Sequence, residues 1–443
     1  MSASFIRDPA QRQVRLSIVA AIVGTTVEFY NLALFNQANG PYLGPLLFPQ
    51  ADPFTATLTV FGIYLAGFAV RPLGAVVFGH LGDRVGRRTA LVVTLSMTGA
   101  ASALMGLVPT YAQAGILGGV LLLLLRMIQG LGAGGQWAGS VLFALEWNRA
   151  DRRRGLLASW SQLGVALGLA LGYAALQASI MVFGEHSYWA WRVPFLLSAV
   201  LMIVGLYIRL GNLETPVFTR LLEERKIERF PVRQVLRQCW REVTLCFLLR
   251  AGEATSGAVF QIVIVTYATT VLRLGGPMVL GYTEAATVLS VGTVLLFGYL
   301  SDVIGIKLMY MIGAGAMLLF CLPYWAMVDT GEPALVFTAI LLSSPIRDMQ
   351  FAPQAALIAQ SFTSRIRYSG ASIGFQLGSL WRGVGPTVAL FLLGSFHSSL
   401  PIAAFMMVAT LVGLVSAGLL RDRSRQDLSV EYDDPTPGLV PAS

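Results

Sequence analysis

The sequence predicts an all-α integral membrane protein whose twelve transmembrane helices form two pseudo-symmetric six-helix halves. Three observations support this fold class: an apolar composition, hydrophobic blocks of membrane-spanning length, and an internal repeat. Of the 443 residues, 55% are hydrophobic and 12% are charged, and that charged share is about half the value for soluble domains. The composition therefore argues against a soluble fold of two or three domains.

Twelve apolar segments can be delimited along the chain, each near the length of about 20 residues that a helix needs to cross a bilayer. Their even number places both termini on the same side of the membrane. The predicted segments are 16–38, 56–79, 89–108, 115–144, 156–180, 191–210, 243–272, 277–300, 308–327, 334–361, 369–394 and 399–420.

The basic residues between these segments predict the orientation. If the N-terminus is cytoplasmic, nearly all Lys and Arg residues of the connections lie on the cytoplasmic side, and Arg273 is the exception on the outer side. Lys and Arg are retained in the cytoplasm during insertion. We therefore expect a multi-pass protein of a bacterial cell (inner) membrane with both termini in the cytoplasm.

Other function classes find little support in the composition. The net charge of +8 is spread over short runs between apolar blocks, whereas nucleic-acid binding needs one contiguous basic face. The three Cys and three His residues are scattered, so we predict no disulfide, metal site or cofactor. The run Gly130–Gly135 matches a dinucleotide fingerprint, but it lies in an apolar block and predicts close helix packing instead. No nucleophile–base pair points to an enzyme.

An internal repeat divides the chain. Gly79-His-Leu-Gly-Asp83 recurs as Gly298-Tyr-Leu-Ser-Asp302, and the stretch from Gly155 to Gly164 recurs from Gly370 to Gly378. Duplicated halves that meet at a binding site are typical of secondary transporters. The predicted parts are an N-terminal cytoplasmic tail (1–15), a first half (16–210), a cytoplasmic linker (211–242), a second half (243–420) and a disordered cytoplasmic tail (421–443).

The loop Gly79-His-Leu-Gly-Asp-Arg-Val-Gly-Arg-Arg88 resembles the signature loop of the major facilitator superfamily. Six further motifs resemble its metabolite–proton symporter branch, and the resemblance covers about residues 14–420. It implies uptake of shikimate, 2-oxoglutarate, citrate, other carboxylates, or proline and betaine. The six motifs are Glu28-Phe-Tyr-Asn31, Ala69-Val-Arg-Pro-Leu-Gly74, Gly134-Gly-Gln-Trp137, Trp191-Arg-Val-Pro-Phe195, Glu214-Thr-Pro-Val-Phe218 and Arg367-Tyr-Ser-Gly-Ala371.

The chain departs from the branch where carboxylates are replaced by amides. Asn31 stands where the branch has Asp, Gln136 stands where it has Glu, and Gln360 replaces a further acid. An amide keeps its hydrogen bonds but does not exchange a proton near neutral pH. If proton coupling in the family uses the first two positions, coupling here is weakened, rerouted or absent.

Polar residues at bilayer depth are costly and mark functional positions. In this sequence they lie at helical spacing within the apolar segments. In the family, helices 1, 4, 7 and 10 face a central cavity, so the resemblance places most of these residues there. The candidate residues for substrate binding or coupling are Glu28, Asn31, Arg126, Gln136, Arg250, Glu253, Arg347, Gln354 and Arg382.

The charges of these segments predict an anionic substrate. Four arginines face three acids, Glu28, Glu253 and Asp348. A buried guanidinium stays protonated and needs an acceptor, which a substrate carboxylate or phosphate supplies. The alternative is that Arg250–Glu253 and Arg347–Asp348 are fixed internal pairs. Glu28 and Glu253 are either proton carriers or permanent counter-ions.

The signature loop is predicted to act as a gate. Its expected gating residues are Gly79, Asp83, Arg84, Gly86, Arg87 and Arg88, with Asp302 in the repeat. The resemblance implies that Asp83 meets the N-terminus of helix 11, where the helix dipole favours negative charge. Val303 and Ile306 replace two of the arginines in the repeat, so the second latch is predicted to be weaker. The alternative is that the arginines only fix topology.

The sequence thus predicts a monomeric secondary transporter that moves a small organic anion by alternating access, in symport with protons. It predicts the lipid bilayer as the only other partner, without nucleic acid. Because Asn31 and Gln136 replace acids, the alternatives are an uncoupled uniporter, an exchanger or an exporter. A membrane sensor that does not transport is a more remote alternative.

Overall fold

The computed structural model describes residues 9–38, 42–147, 153–184, 187–224 and 228–423. These residues form helices and connections without a β-strand. Each of the twelve predicted segments coincides with one long helix. In chain order the helices are α1 (Pro9–Ala38), α2 (Pro53–Arg84), α3 (Arg87–Met105), α4 (Leu117–Trp147), α5 (Arg154–Phe183), α6 (Arg192–Leu210), α7 (Trp240–Ala258, Val259–Val263 and Ile264–Thr270), α8 (Gly276–Ile304), α9 (Ile306–Asp329), α10 (Pro333–Ala359), α11 (Arg367–Gly378 and Leu380–Phe396) and α12 (Leu400–Leu419).

Within the described residues, eleven of these helices are long and apolar enough to cross a membrane, and α10 is not one of them. Its 27 residues extend about 40 Å at the usual rise per residue, so its length is sufficient. Its hydropathy is lowered by the adjacent Arg347 and Asp348 and by the buried amides Gln350 and Gln354. The helix that is not apolar enough by this measure is therefore one of those expected to line the cavity.

The segments outside the twelve helices differ in part from the prediction. Helix α1 begins at Pro9, before the predicted start at residue 16. The predicted linker 211–242 contains the short helices Pro216–Glu223 and Pro231–Gln238. Most of the predicted C-terminal tail, residues 424–443, lies outside the described part of the chain.

Two helices depart from regular α-helical geometry at positions where the sequence periodicity predicts no irregularity. Helix α7 contains a π-helical turn, Val259–Val263, and α11 is interrupted at Ser379 between its two segments. Single π-turns inside α-helices frequently occur at functional sites. Both irregularities lie in the second half of the chain, and the contacts described below bring them together.

The two halves meet most closely at one end of the bundle. The first segment of α11 packs along α2 far more extensively than the second segment does, and α5 packs against α8 and α10. The loop 79–88 and the short helix Pro216–Glu223 lie at this end, which we call the basic end. The bundle is therefore closed at the basic end.

Glycines let α2 and α4 pack backbone against backbone. A Cβ atom on Gly130 would collide with the carbonyl oxygen of Gly67, and one on Gly134 would collide with that of Arg71. Small residues permit such close approaches between membrane helices. The glycine-rich run in α4 thus serves packing, as its position in an apolar block predicts.

We expect Gly130→Val to destabilise the protein by about 1–3 kcal/mol, because the added side chain must push α2 and α4 apart. Gly315→Val in α9 is the matched control, since nothing lies within 4 Å of a Cβ at that position. The measurement is thermal unfolding of the two purified variants in detergent. Equal melting temperatures would contradict the backbone contact between α2 and α4.

Candidate functional site

A polar cavity of about 290 Å³ lies within the first half, between α1, α2, α3 and α4. Three of the predicted site residues, Glu28, Asn31 and Arg126, line it. Gln136 does not, although it was predicted on the same helix as Arg126. The other polar residues in its wall are Arg71, Thr98 and Gln129.

Glu28 pairs with Arg71, which was not among the predicted site residues. Glu28 Oε1 lies 3.4 Å from Arg71 Nη1, and Glu28 Oε2 has no hydrogen-bond partner in the described structure. Arg71 lies within the apolar segment 56–79, the same signal that selected Arg126. A further buried arginine, Arg209 on α6, donates to the carbonyl oxygen of Leu91 and lies outside this cavity.

Arg126 is buried in the cavity wall without a carboxylate partner among the described residues. Its Nη1 donates to Gln129 Oε1, and its Nε has no hydrogen-bond partner. The guanidinium lies over the ring of Phe35, 4.3 Å from the ring centroid, and 5.2 Å from that of Tyr64. Aromatic faces stabilise a cation but do not neutralise it, so a full positive charge is left beside the cavity.

The two amides that replace acids differ in their contacts. Asn31 Oδ1 accepts a hydrogen bond of 2.6 Å from Ser198 Oγ, and its Nδ2 has no partner in the described structure. Gln136 Nε2 donates to the carbonyl oxygen of Gly24, and its Oε1 accepts from Thr98 Oγ1 at 3.2 Å. An ionised carboxylate has no proton to donate to a carbonyl. Gln136 therefore connects α1, α3 and α4 as a permanently neutral group.

Arg250 on α7 is held loosely by three neighbours. Its Nη1 donates to Gln354 Oε1 at 3.1 Å, and its guanidinium lies 3.6 Å from the centroid of the Phe375 ring. Its Nη2 is 3.8 Å from Glu253 Oε2, and neither carboxylate oxygen of Glu253 accepts a hydrogen bond in the described structure. The pair is thus in electrostatic contact without the short hydrogen bonds of a fixed ion pair.

Arg347 on α10 forms the internal pair that the sequence left as an alternative. Its Nη2 donates to Asp348 Oδ1 at 2.7 Å and to Ser290 Oγ at 3.1 Å, and its Nε donates to Asp348 at 3.2 Å. Asp348 also accepts from Ser290 and Thr293 of α8. These contacts fix α8 against α10 and neutralise most of the charge on Arg347.

Arg382 joins the two helix irregularities of the second half. It follows the interruption of α11 at Ser379, and its Nη2 donates to Gln261 Oε1 within the π-helical turn of α7. The side chain is only partly buried, and the described residues place no carboxylate at ion-pair distance from it. Arg382 therefore offers a second cation with an amide as its partner.

A larger cavity of about 460 Å³ lies between α5 of the first half and α7, α8 and α10 of the second. Gln261 and Arg347 line it, together with the rings of Phe260 and Phe351. Gln261 also accepts a hydrogen bond from Arg382, so Arg347 lines this cavity directly and Arg382 is connected to it through Gln261. The predicted site residues did not include Gln261, and the sequence did not predict a cavity bordered by α5 and α8.

An aromatic stack connects Arg250 to the contact between the halves. The ring of Phe375 on α11 lies against the indole of Trp137 on α4, with 3.3 Å between centroids, and the Arg250 guanidinium covers Phe375 as well. Arg250 is thus in contact with Phe375, a side chain that packs between the halves.

Two glutamines of the internal repeat form matching bonds across the halves. Gln162 Nε2 on α5 donates to the carbonyl oxygen of Phe351 on α10 at 3.0 Å. Gln376 Nε2 on α11 donates to the carbonyl oxygen of Ala133 on α4 at 3.1 Å. Each amide reaches the backbone of the opposite half, so these bonds must break if the halves separate at this level.

The acids of the repeated loops each bind a helix N-terminus in the opposite half. Asp83 accepts from the backbone N–H of Tyr368 at 3.2 Å and of Ser369 at 2.8 Å, in the first turn of α11. Asp302 accepts from Gly155 at 2.6 Å and Leu156 at 2.8 Å, in the first turn of α5. The bonds of Asp302 are not longer than those of Asp83, and a weaker second latch stays a prediction.

The remaining loop residues differ in burial. Arg87 is buried and lies 3.1 Å from Asp83 and 3.6 Å from Glu146, while Arg84 is exposed. Gly86 has φ +133°, which favours glycine, and it leaves room for Glu214.

Glu214, from the segment after α6, closes the start of α3. Its carboxylate accepts from the backbone N–H groups of Arg87 and Arg88, both at 3.1 Å. Burial raises the pKa of Glu214, and hydrogen bonds from the backbone N–H groups of Thr215 and Arg88, with the charge of Arg87, oppose that shift only in part. Glu214 and Thr215, which donates to Glu146 at 2.6 Å, thereby tie the linker to the buried charges of the basic end.

We expect Asp83→Asn to open the basic end more often, because the neutral side chain binds the positive end of α11 less strongly. The measurement is labelling of Ala133→Cys, in a background without native cysteines, by a membrane-impermeant maleimide added at the basic end. Labelling should become about ten-fold faster. Arg84→Gln is the matched control at an exposed position, and equal rates in both variants would contradict the latch.

Comparisons with known proteins match most of this chain. The family description "Major Facilitator Superfamily" matches residues 16–386. The inner membrane metabolite transport protein YhjE of Escherichia coli (strain K12) is 34% identical over 411 residues, covering 91% of this chain and 92% of the relative. The shikimate transporter of the same strain is 28% identical over 423 residues, covering 93% and 96%. Its proline/betaine transporter is 28% identical over 435 residues, covering 94% and 85%.

Solved structures show the same fold at low sequence identity. The proton:xylose symporter XylE, bound to 6-bromo-6-deoxy-D-glucose, aligns with a TM-score of 0.75 at 18% identity and covers 92% of this chain and 95% of its own. The Escherichia coli fucose:proton symporter FucP aligns with a TM-score of 0.70 at 11% identity, covering 92% and 98%. With the matched family and relatives, the chain belongs to the major facilitator superfamily and is a multi-pass membrane transporter of metabolites rather than an enzyme.

Proposed function

We propose that this transporter carries a small organic anion. One observation carries the proposal: in the described residues, Arg126 and Arg382 have amide partners and no carboxylate at ion-pair distance. A guanidinium stays protonated even when buried, and a buried charge without a counter-ion is costly. A carboxylate from the substrate supplies the missing charge and accepts two hydrogen bonds from one guanidinium.

The named solutes of the relatives support a carboxylate as the recognised group. Shikimate, proline and betaine all carry one, although proline and betaine are zwitterions and only shikimate is a net anion. An arginine anchor for the carboxylate is compatible with all three, and the rest of the cavity then selects among them. The loosely held Arg250 is the third arginine that an anion would reach, whereas Arg347 already has Asp348.

The contacts between the halves support alternating access. We propose that residues 16–210 and 243–420 move as two bodies joined by the linker 211–242, in a monomer with the basic end and both termini in the cytoplasm of a bacterium. The latches at Asp83 and Asp302 and the bonds of Gln162 and Gln376 hold the cytoplasmic side closed. All of them must break for the substrate to leave on that side.

Glu253 is the group that best supports proton coupling. Its carboxylate has Arg250 as its counter-ion and accepts no hydrogen bond among the described residues. If a substrate anion takes over Arg250, Glu253 loses its nearest counter-ion, and this loss favours the protonated carboxyl group. Substrate and proton would then enter together, as symport requires. Glu28, with its single contact to Arg71, is the corresponding group of the first half.

The neutral contacts of Gln136 favour uncoupled transport as the second candidate. Gln136 is fixed to Gly24 and Thr98 as a permanent amide, which removes one proton-exchanging position if the branch uses this position for coupling. Facilitated diffusion, exchange or export of the same anions would then remain. A sensor that does not transport would show no flux at all.

We expect Arg126→Gln and Arg382→Gln to lower the uptake of the transported anion by about 100-fold, since each removes a charge-assisted contact to a carboxylate. The measurement is counterflow in proteoliposomes supplied with mono-, di- and tricarboxylates, shikimate, proline and betaine. Arg237→Gln, at an exposed linker position, should transport at the wild-type rate. Unchanged uptake by the two cavity variants, or transport of non-anionic solutes alone, would contradict the proposal.

We expect Glu253→Gln to lose accumulation driven by an inward proton gradient while it keeps counterflow, because the amide takes up no proton. Accumulation ratio and counterflow rate are measured on the same vesicles. Glu332→Gln, at an exposed position, should keep both activities. Full accumulation by Glu253→Gln would exclude this residue as the coupling group, and a wild-type protein that ignores the gradient would establish the uncoupled alternative.

A further inference from the structure

Buried positive charge exceeds negative charge around the polar cavity of the first half. Glu28 Oε1 lies 3.4 Å from Arg71 Nη1, and Arg126 lies in the cavity wall. Arg209 packs against Gly24, which is one turn before Glu28 on α1. Among the described residues, Glu28 is the only carboxylate at ion-pair distance from any of these three arginines. Uncompensated buried charge is costly, so this region favours an additional anion.

Two hydrogen-bond donors of this cavity have no partner in the described structure. They are Arg126 Nε and Asn31 Nδ2, and both residues are buried in the cavity wall, with exposed fractions of 3% and 1%. The other polar groups on this side of the wall, Gln129 and Thr98, are engaged with neighbouring side chains and carbonyl oxygens. Unpaired N–H groups beside a buried positive charge match an anion, which only accepts hydrogen bonds.

A glycine leaves the space beside the unpaired donor of Arg126. A Cβ atom on Gly67 of α2 would lie 3.1 Å from Arg126 Nε and 2.9 Å from its Cγ, which is too close for ordinary packing. The free space of the cavity admits a particle of about the size of one water molecule. A carboxylate group has three heavy atoms, whereas a chloride ion is a single atom somewhat larger than water. The closed form of the protein therefore suits a halide ion better than an organic anion at this place.

Charge distinguishes chloride from water as the occupant of this space. A water molecule would accept from the same donors and would donate to Glu28 Oε2, which has no partner in the described structure either. It would leave the charge of Arg126 uncompensated. An anion gains electrostatic attraction to Arg126 in a site that excludes bulk water, and Arg71 reduces the repulsion from Glu28.

We infer that this cavity binds one chloride ion, held by Arg126 Nε and Asn31 Nδ2 in the space that Gly67 leaves. The inference does not depend on which solute the transporter carries. It has one consequence that rests on the proposed function, in which a substrate carboxylate also uses Arg126. Chloride is the anion that occupies this guanidinium in the closed form, and a substrate must displace it in order to bind there.

The test measures binding of radiolabelled chloride to the purified full-length protein by equilibrium dialysis in a chloride-free sulfate buffer. We expect saturable binding of one chloride per protein, with bromide as a competitor and sulfate too large to compete. The position of the ion is checked in crystals soaked in bromide, whose anomalous signal should appear beside Arg126. Both measurements use the wild-type chain, so neither depends on the folding of a variant.

The variant Asn31→Asp replaces an amide donor by a carboxylate of the same size. It should weaken chloride binding about ten-fold or more, because the new negative charge compensates Arg126 and repels the ion. Arg126→Gln should weaken binding at least as much, since it removes the positive charge itself. Asn36→Asp is the matched control, because it adds the same charge to α1 at a partly exposed position outside the cavity wall. It should bind chloride as the wild type does.

Two results would overturn the inference. Absence of saturable chloride binding by the wild type would show that water alone fills the cavity, and equal binding by Asn31→Asp, Arg126→Gln and the wild type would place the chloride elsewhere.

The carboxylates of the counterflow experiment, used as a panel of competitors, separate this inference from the proposed function. If a transported acid of the panel displaces chloride, the chloride site and the role of Arg126 in substrate binding are both supported. If a transported acid leaves chloride bound, the chloride site stands and Arg126 is not a substrate anchor. Transport of organic anions is measured by counterflow itself, so it stands or fails independently of the chloride site.

Discussion

The structure depends on keeping positive charge inside a bundle of apolar helices. In the described structure Arg126 and Arg382 each have a glutamine as partner and Arg250 has a distant glutamate, and Arg347 alone of these four arginines has close carboxylate bonds. Charges removed from water are costly unless they are paired, so these side chains are positioned for an anion that the described residues do not supply. The polar residues of α10, the π-turn of α7 and the interruption of α11 all lie near these arginines.

The same charges border the contacts that close one side of the molecule. Arg250 covers the ring of Phe375, and Phe375 lies against Trp137 of the opposite half. We propose that an anion that draws Arg250 away from the ring weakens a contact between the halves, whereas the latches of Asp83 and Asp302 remain. Under this proposal, binding and opening are linked through one shared side chain. The closed and open states would differ in this contact, and a ligand shifts a population only if it interacts differently with the two states.

Much of this architecture could be predicted from the sequence, because hydropathy and repeats report directly on helices and halves. The twelve segments each coincide with a long helix, and Asp83 meets α11 as the resemblance implies. Arg71 and Gln261 were not among the predicted site residues, since their contacts with Glu28 and Arg382 depend on which helices become neighbours. Whether Arg347 is paired and whether Gln136 faces a cavity are likewise matters of packing. Spacing along one helix does not fix contacts between helices.

The most direct test of the central claim compares a carboxylate ligand with its carboxamide, which keeps the shape and removes the charge. The measurement is equilibrium binding of both compounds to the wild-type protein at one pH, using whichever acid of the panel binds most tightly. If uncompensated arginines recognise the substrate, the carboxamide should bind about 100-fold more weakly. Equal affinities would show that the guanidinium groups do not hold the ligand, and the account would be wrong.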